Sequence, residues 1–281
     1  MKTTAGASGA YGFRLQGLDG ARSLLVPAPA TWPLLAVSVA SEAAPGPPCD
    51  RVGPERAELK LLTGGWVGID REPGRAVYHL PARVDDGALV HPYLAPVALI
   101  AARWLGRESF HAGAFVAGDG VWALLGDKEA GKSTTLAWLA AHGHPVVCDD
   151  ALVLDALTAL AGPRSIDLRA ESARRLGIGE PLGTVGVRER WRVPLEPVPA
   201  ELPFRGWVSL TWGDEVAVEP LRGAARLPAL IPHRGVRIEP PRPAALVEYA
   251  ALAHLVLRRP HGFQSLGEGV ERLLEAIARE P

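Results

Sequence analysis

The run Gly126-Asp127-Lys128-Glu129-Ala130-Gly131-Lys132-Ser133 is a complete G-x-x-x-x-G-K-[ST] loop, and its flanks are those such a loop requires. Ahead of it, Val121-Trp122-Ala123-Leu124-Leu125 is an apolar segment of strand length. Behind it, residues 134–141 carry Leu136, Leu139 and Ala140 at helical spacing. Strand, glycine turn and helix in that order fix an α/β class. The backbone N–H groups of such a turn, with the positive end of the following helix, cradle phosphates. Lys132 reaches the β- and γ-phosphates, Ser133 offers a hydroxyl to Mg²⁺, and Thr134 continues the binding segment into the helix. The expected ligands are a nucleoside triphosphate and Mg²⁺.

At 281 residues the chain has room for a large α/β domain or a catalytic domain with a smaller partner. Hydrophobic residues make up 48% and charged residues 22%, the profile of a soluble globular protein. With 30 basic and 31 acidic residues the formal charge is −1, so no overall basic field is present to favour nucleic acid. The two cysteines, Cys49 and Cys148, show neither a pairing pattern nor metal spacing, and a reducing cytoplasm is the expected setting. The first residues lack an apolar signal region, and the apolar stretch 93–105 is short and contains Arg103. Neither secretion nor a membrane span is expected.

Along the chain, residues 1–90 read as a β-rich N-terminal lobe, with short apolar runs at 23–26, 34–39, 66–69 and 76–80 between Gly/Pro/Asp turns. The Pro/Gly-rich stretch 43–54 reads as its loop or flap. Residues 91–281 read as the catalytic domain. They open on a helix over 92–106 whose apolar face is Leu94, Val97, Ala98, Ala101 and Leu105. Segments 112–117 and 121–125 flank Gly118-Asp119-Gly120, a hairpin signal that implies a mixed sheet. Further strands are expected at 143–148, 151–154 and on both sides of the Gly213-Asp214 turn. Helices are expected over 170–176, 244–257 and 266–279.

Phosphoryl transfer needs charge neutralisation, a metal, and a base for the acceptor. The strand after the loop helix ends in Asp149 and Asp150. Neighbouring residues at a strand end point to opposite sides, so one carboxylate can hold the metal while the other faces an acceptor hydroxyl. Which of the two is the base stays open, and a single metal aspartate beside a helix cap is the alternative. His111 opens the hairpin that feeds the loop. Asp167 and Arg169 share a face if their stretch is extended, giving a second metal contact and a transition-state cation, or else a surface ion pair. Arg188, Arg190 and Arg192 surround Trp191, a cluster suited to phosphate, carboxylate or a peptide tail and equally to a solvated face. The remaining histidines, His91 and His261 among them, read as structural or surface residues.

At these residues the chain resembles the HPr kinase/phosphorylase family, whose catalytic domain is related in fold to phosphoenolpyruvate carboxykinase. That family places a histidine before a hairpin, then a G-D-S-G-x-G-K-S loop, a helix ending in R-G-H and a strand closing with Asp-Asp. Here the same order reads His111, the 126–133 loop, His142-Gly143-His144 and Asp149-Asp150, and the resemblance is specific over about residues 110–170. It implies ATP and Mg²⁺ as ligands, with Ser133, Asp149 and Asp167 toward metal. It also implies Asp149 or Asp150 as the base, Lys132 and Arg169 at the phosphates, and His111 beside the transferring group.

Lys128-Glu129 replaces the family's Ser-Gly, and the glycine-rich signature after the arginine is missing, which points to a kinase without the phosphorylase half. The whole chain is more similar to the HPr-kinase-like proteins of modified-peptide gene clusters, including lasso-peptide kinases. That implies a peptide or small-protein serine as acceptor. A homo-oligomer is also compatible, since the carbohydrate-regulating relatives form hexamers. A small-metabolite hydroxyl kinase and a non-catalytic ATP-binding protein are the alternatives.

Overall fold

The computed structural model describes residues 6–40, 45–61, 64–185, 188–236 and 243–280. The chain opens with β1 (Ser8–Ala10), β2 (Phe13–Gln16), β3 (Val26–Pro27), β4 (Leu34–Val39), β5 (Arg51–Val52), β6 (Arg56–Lys60), β7 (Trp66–Asp70) and β8 (Arg75–His79). These form one eight-stranded sheet in the order β3-β1-β2-β4-β8-β7-β6-β5. A single helical turn α1 (Asp86–Ala88), capped by the Asp85 carboxylate on Ala88 N–H, and α2 (Leu94–Trp104) follow. Two expectations change in this part. Residues 23–24 end a 3₁₀ turn, Asp19–Leu24, so of that apolar run only Val26 enters a strand, β3. Leu105 is 49% exposed, because it caps α2 rather than continuing its buried face. The stretch 43–54 lies partly outside the described residues, and its Arg51–Val52 portion pairs with β6.

Next come β9 (Glu108–Phe110), β10 (Gly113–Ala117), β11 (Gly120–Leu125), α3 (Lys132–Ala141), β12 (Val146–Cys148), β13 (Leu152–Asp155), β14 (Thr158–Leu160), β15 (Ser165–Arg169), α4 (Ala170–Leu176), β16 (Glu180–Val185), β17 (Arg188–Pro194), β18 (Glu201–Trp212), β19 (Ala217–Pro220), α5 (Arg226–Leu230), α6 (Pro243–Ala251), β20 (Ala253–Arg259) and α7 (Leu266–Ile277). The fold is mixed α/β. Its second sheet runs β12-β10-β11-β18-β14-β13-β9, with β20 beside β18 and β19 beside β20, while β15-β17-β16 form a third. In the second sheet β11, β18 and β20 are parallel, so their carboxyl ends gather at one edge. In open sheets of parallel strands that edge is where ligands bind.

The expected helix over 244–257 is half wrong. Its first part is α6, but Ala253–Arg259 is a strand hydrogen-bonded to β18 on one side and β19 on the other. Leu255-Val256-Leu257 is too short a run to separate the two periods, and the vacant slot between β18 and β19 decides the matter. That same insertion keeps β18 and β19 apart, although only the Gly213-Asp214 turn region separates them in sequence.

The second sheet is buried on both faces. Along β11, Val121, Ala123 and Leu125 face a core shared with the first sheet and α2, whereas Trp122 and Leu124 face a second core with α3 and α7. Helix α7 presents Leu266, Val270, Leu273 and Ile277 to that second core. Their spacing is that of one helical face, and each buried aliphatic side chain contributes about 1.5–3 kcal/mol. Specific bonds tie the first sheet to the rest: Tyr11 N–H donates to Ala161 O at 2.7 Å, and Trp32 Nε1 donates to Glu201 Oε1 at 2.6 Å.

Candidate functional site

β11 delivers the chain to Gly126 at the gathered carboxyl edge, and the turn ends at Gly131 with φ +92. A Cβ at Gly131 would be strained by that φ and would also stand 2.9 Å from Arg259 Nη2. Glu129 adopts φ +73, a left-handed conformation that ordinarily favours glycine. Helix α3 starts at Lys132 with no side-chain cap, which leaves its first-turn N–H groups available to an anion. The Lys132 side chain folds back, its Nζ donating to Gly126 O at 2.6 Å and to Asp127 O at 3.3 Å. Burial lowers its pKa, against the raising effect of Asp150, Asp149 and Asp127. The carbonyls therefore hold the ammonium at the mouth of the turn.

One side of the site is acidic. Asp149, the residue directly after β12, is 2% exposed, and its Oδ1 accepts from Ser133 Oγ at 2.9 Å. Its Oδ2 is buried and has no hydrogen-bond partner among the described residues. Burial, then the neighbouring Asp150 charge, pushes the Asp149 pKa well above the usual carboxylate range. Asp150 is exposed at φ +63, and its carbonyl accepts from His111 Nδ1 at 3.0 Å. His111 thus reaches this edge through a backbone contact rather than through a carboxylate.

Strand β15 places Asp167 and Arg169 on one face, with Ile166 and Leu168 turned into the second core. Asp167 lies directly across from Arg192 in the β15–β17 register and accepts from Arg192 Nε at 2.9 Å and Nη2 at 3.0 Å. Both of its oxygens are thereby taken by a guanidinium. Arg169 Nη2 donates to Glu129 Oε1 at 2.7 Å, so it joins the turn by an ion pair. Of the arginine cluster, Arg190 lines the cavity and Arg192 is the partner of Asp167. The Arg188 side chain lies outside what is described.

The opposite side is aromatic and belongs to the parallel strand ends. Trp212 closes β18 and Arg259 closes β20, with the Arg259 guanidinium carbon 4.5 Å from the Trp212 ring centroid. Arg259 Nη1 donates to Gly262 O at 2.7 Å, and the His261 ring stands 4.7 Å from that of Trp212. Together with the turn, both sides line one cavity of about 950 Å³. His111, Asp150, Asp167, Arg169 and Arg190 line it on the acidic side, and Trp212, Arg259, His261 and Phe263 on the aromatic side.

Three contributors escape a reading of the sequence. His91 is buried against the carboxylates, with a ligand atom within 4.8 Å of those of Asp149 and Asp150. No local spacing signals it, because it arrives from the segment before α2. Trp212 and Arg259 come together only through the parallel β18–β20 pairing, and reading β20 as helix hides that pairing.

No family model matches the chain, and no curated protein matches it. A solved structure, the Hpr(Ser) kinase/phosphatase from Coxiella burnetii, is similar over 60% of this chain and 90% of its own, with a TM-score of 0.33 and 14% identity. A likeness of that size says nothing about activity, which must be argued from the site. Among the described residues, no helix is long and apolar enough to cross a membrane.

Proposed function

We propose that the chain is an ATP-dependent kinase that transfers the γ-phosphoryl group to a hydroxyl, most specifically a serine of a peptide or small protein. The observation that carries this reading is the convergence of Lys132, Ser133, Asp149 and Asp150 on the uncapped start of α3, with Ser133 Oγ bonded to Asp149 Oδ1. Lys132 exchanges its carbonyl partners for phosphate oxygens, and the first-turn N–H groups of α3 bind the same anion. The Ser133 hydroxyl and the Asp149 Oδ1 bonded to it suit a hard divalent cation, so these two groups are assigned to Mg²⁺. When bound, that ion neutralises phosphate charge.

The acceptor O–H gives its proton to a carboxylate of the Asp149-Asp150 pair as its oxygen bonds to the γ-phosphorus. The bond to the β–γ bridging oxygen breaks, and ADP leaves with those electrons. Arg169, once released from Glu129, supplies positive charge to the equatorial oxygens. The nucleoside end belongs with Trp212, Arg259 and His261, on the side of β11 away from the carboxylates. Their aromatic and guanidinium surfaces suit a stacked base. The peptide acceptor rests on the family resemblance, and the exposed arginines near the acidic side, Arg169 and Arg175, are suited to the acidic flank of such a substrate.

The test is intact-mass analysis of peptides and small proteins encoded beside this gene after incubation with protein, ATP and Mg²⁺. A gain of about 80 Da, absent with Lys132→Ala, is the expected result. ATP binding without any such gain, and without phosphate appearing in the small-molecule fraction, would leave the protein a nucleotide binder and sink the kinase reading.

A further inference from the structure

His91 sits in the turn Leu89–Tyr93, between the first sheet and α2, and is 4% exposed. Its position is imposed from outside its own segment. Arg192 Nη2 donates to the His91 carbonyl at 3.0 Å while the same guanidinium holds both oxygens of Asp167. The ring is thereby kept beside the carboxylates, with Nε2 3.7 Å from Asp167 Oδ2, a distance longer than a hydrogen bond. One ligand atom each from His91, Asp149 and Asp150 lie within 4.8 Å of one another.

Asp149 supplies an independent sign. Its Oδ1 is satisfied by Ser133, but Oδ2 is buried without a partner among the described residues. A carboxylate oxygen withdrawn from water and left unpaired is costly, and a cation removes that cost. The nearby guanidinium of Arg192 is already committed to Asp167, and the Lys132 ammonium to the carbonyls of the turn.

We propose that His91, Asp149 and Asp150 form a divalent-cation site with one imidazole ligand, selective for a first-row transition metal over Mg²⁺. Mg²⁺ favours oxygen ligands in a strict octahedron, whereas a nitrogen among carboxylates suits Mn²⁺, Co²⁺ or Zn²⁺. The site deepens the phosphoryl-transfer reading and takes its role from it, placing a second cation on the acceptor side of Asp149. Its existence requires no nucleotide. Arg192 is a positioning residue for it, acting through the His91 carbonyl and Asp167.

The test uses the full chain without nucleotide and Mn²⁺ alone as the probe. Mn²⁺ titration followed by electron paramagnetic resonance is expected to show one bound ion, retained in equimolar Mg²⁺, with nitrogen modulation from a directly coordinated imidazole in the pulsed spectrum. His91→Gln is expected to abolish that modulation and weaken Mn²⁺ binding by about tenfold or more. Asp150→Asn, at an exposed position, is expected to weaken binding while keeping the modulation, which guards against a misfolded His91 variant. Failure to bind Mn²⁺ without nucleotide overturns the site, as does bound Mn²⁺ with no nitrogen signal or one that persists in His91→Gln. Either failure leaves phosphoryl transfer standing if the mass gain is seen. A nitrogen-coupled ion with no mass gain in any acceptor keeps the site and removes the kinase.

Discussion

The two sides of the cavity are built differently. On the acidic side, Asp149, Asp167, His91 and Lys132 are all nearly excluded from solvent and are positioned by four separate segments of the chain. On the aromatic side, Trp212 is 38% exposed and leans on a single buried arginine at the end of the next parallel strand. On the kinase reading proposed above, charges that act on a reacting phosphorus must stand at fixed points, which would account for burial and reciprocal ion pairs there despite their desolvation cost. A stacking surface works through area and tolerates looseness. On that reading the contrast gives reaction to one wall and affinity to the other.

The sharpest way to break that assignment is to neutralise the carboxylates. The double substitution Asp149→Asn with Asp150→Asn is expected to lower phosphoryl transfer by about 10²–10⁴ while leaving the Mg²⁺-free nucleotide affinity within a few-fold, measured by single-turnover rates and calorimetry. A comparable loss of affinity would show that the acidic wall binds rather than reacts. Next in size, Arg192→Met leaves the Asp167 carboxylate buried without its partner. A loss of about 3 kcal/mol in denaturant-unfolding stability is expected. If stability is unchanged, the acidic wall is not held by reciprocal pairs.

A smaller effect belongs to the other wall. Trp212→Ala is expected to weaken nucleotide binding by about 1–2 kcal/mol, roughly tenfold, with turnover at saturation preserved. A fall in the saturated rate instead would place fixed catalytic geometry on both walls. The smallest effect is pH-dependent and lies beneath the aromatic wall. His254, buried on β20 with Nε2 2.8 Å from Ser209 Oγ, has its pKa lowered from 6.5 to about 4 by burial, then by Arg226 and His233. A depressed histidine pKa gives stability that is complete above pH 6.5 and is lost as pH falls toward about 4. Thermal melts from pH 7 to 4 are expected to fall less steeply for His254→Gln than for the parent chain, and parallel slopes would refute this.

The legible part of the molecule is the part whose mechanism lies in neighbouring residues. The 126–133 turn, the hairpin before it, the strand leading to Asp149 and the helix Ala170–Leu176 each show a local period or a fixed spacing. Strand β6 was hidden, since Arg56-Ala57-Glu58-Leu59-Lys60 carries charges on its exposed face and little apolar signal. The Asp167–Arg192 pair depends on antiparallel register between β15 and β17, which no local pattern states. His91 and Arg259 are set by long-range placement, and Arg259 was further obscured because alanine- and leucine-rich text reads as helix until a sheet slot claims it. The acidic wall was thus half visible and the aromatic wall almost wholly unseen.

The core common to the first sheet, α2 and one face of the second sheet has a thermodynamic consequence. Tyr11, Tyr78, Leu94, Leu152 and Trp207 belong to one continuous apolar cluster, so exposing the N-terminal sheet also strips the face of the strands that carry the glycine turn. Detachment of residues 1–90 is therefore not a cheap local opening but a large fraction of global unfolding. Heat capacity scans should register a single cooperative peak, and deletion of residues 1–90 should collapse the turn and its carboxylates along with the lobe.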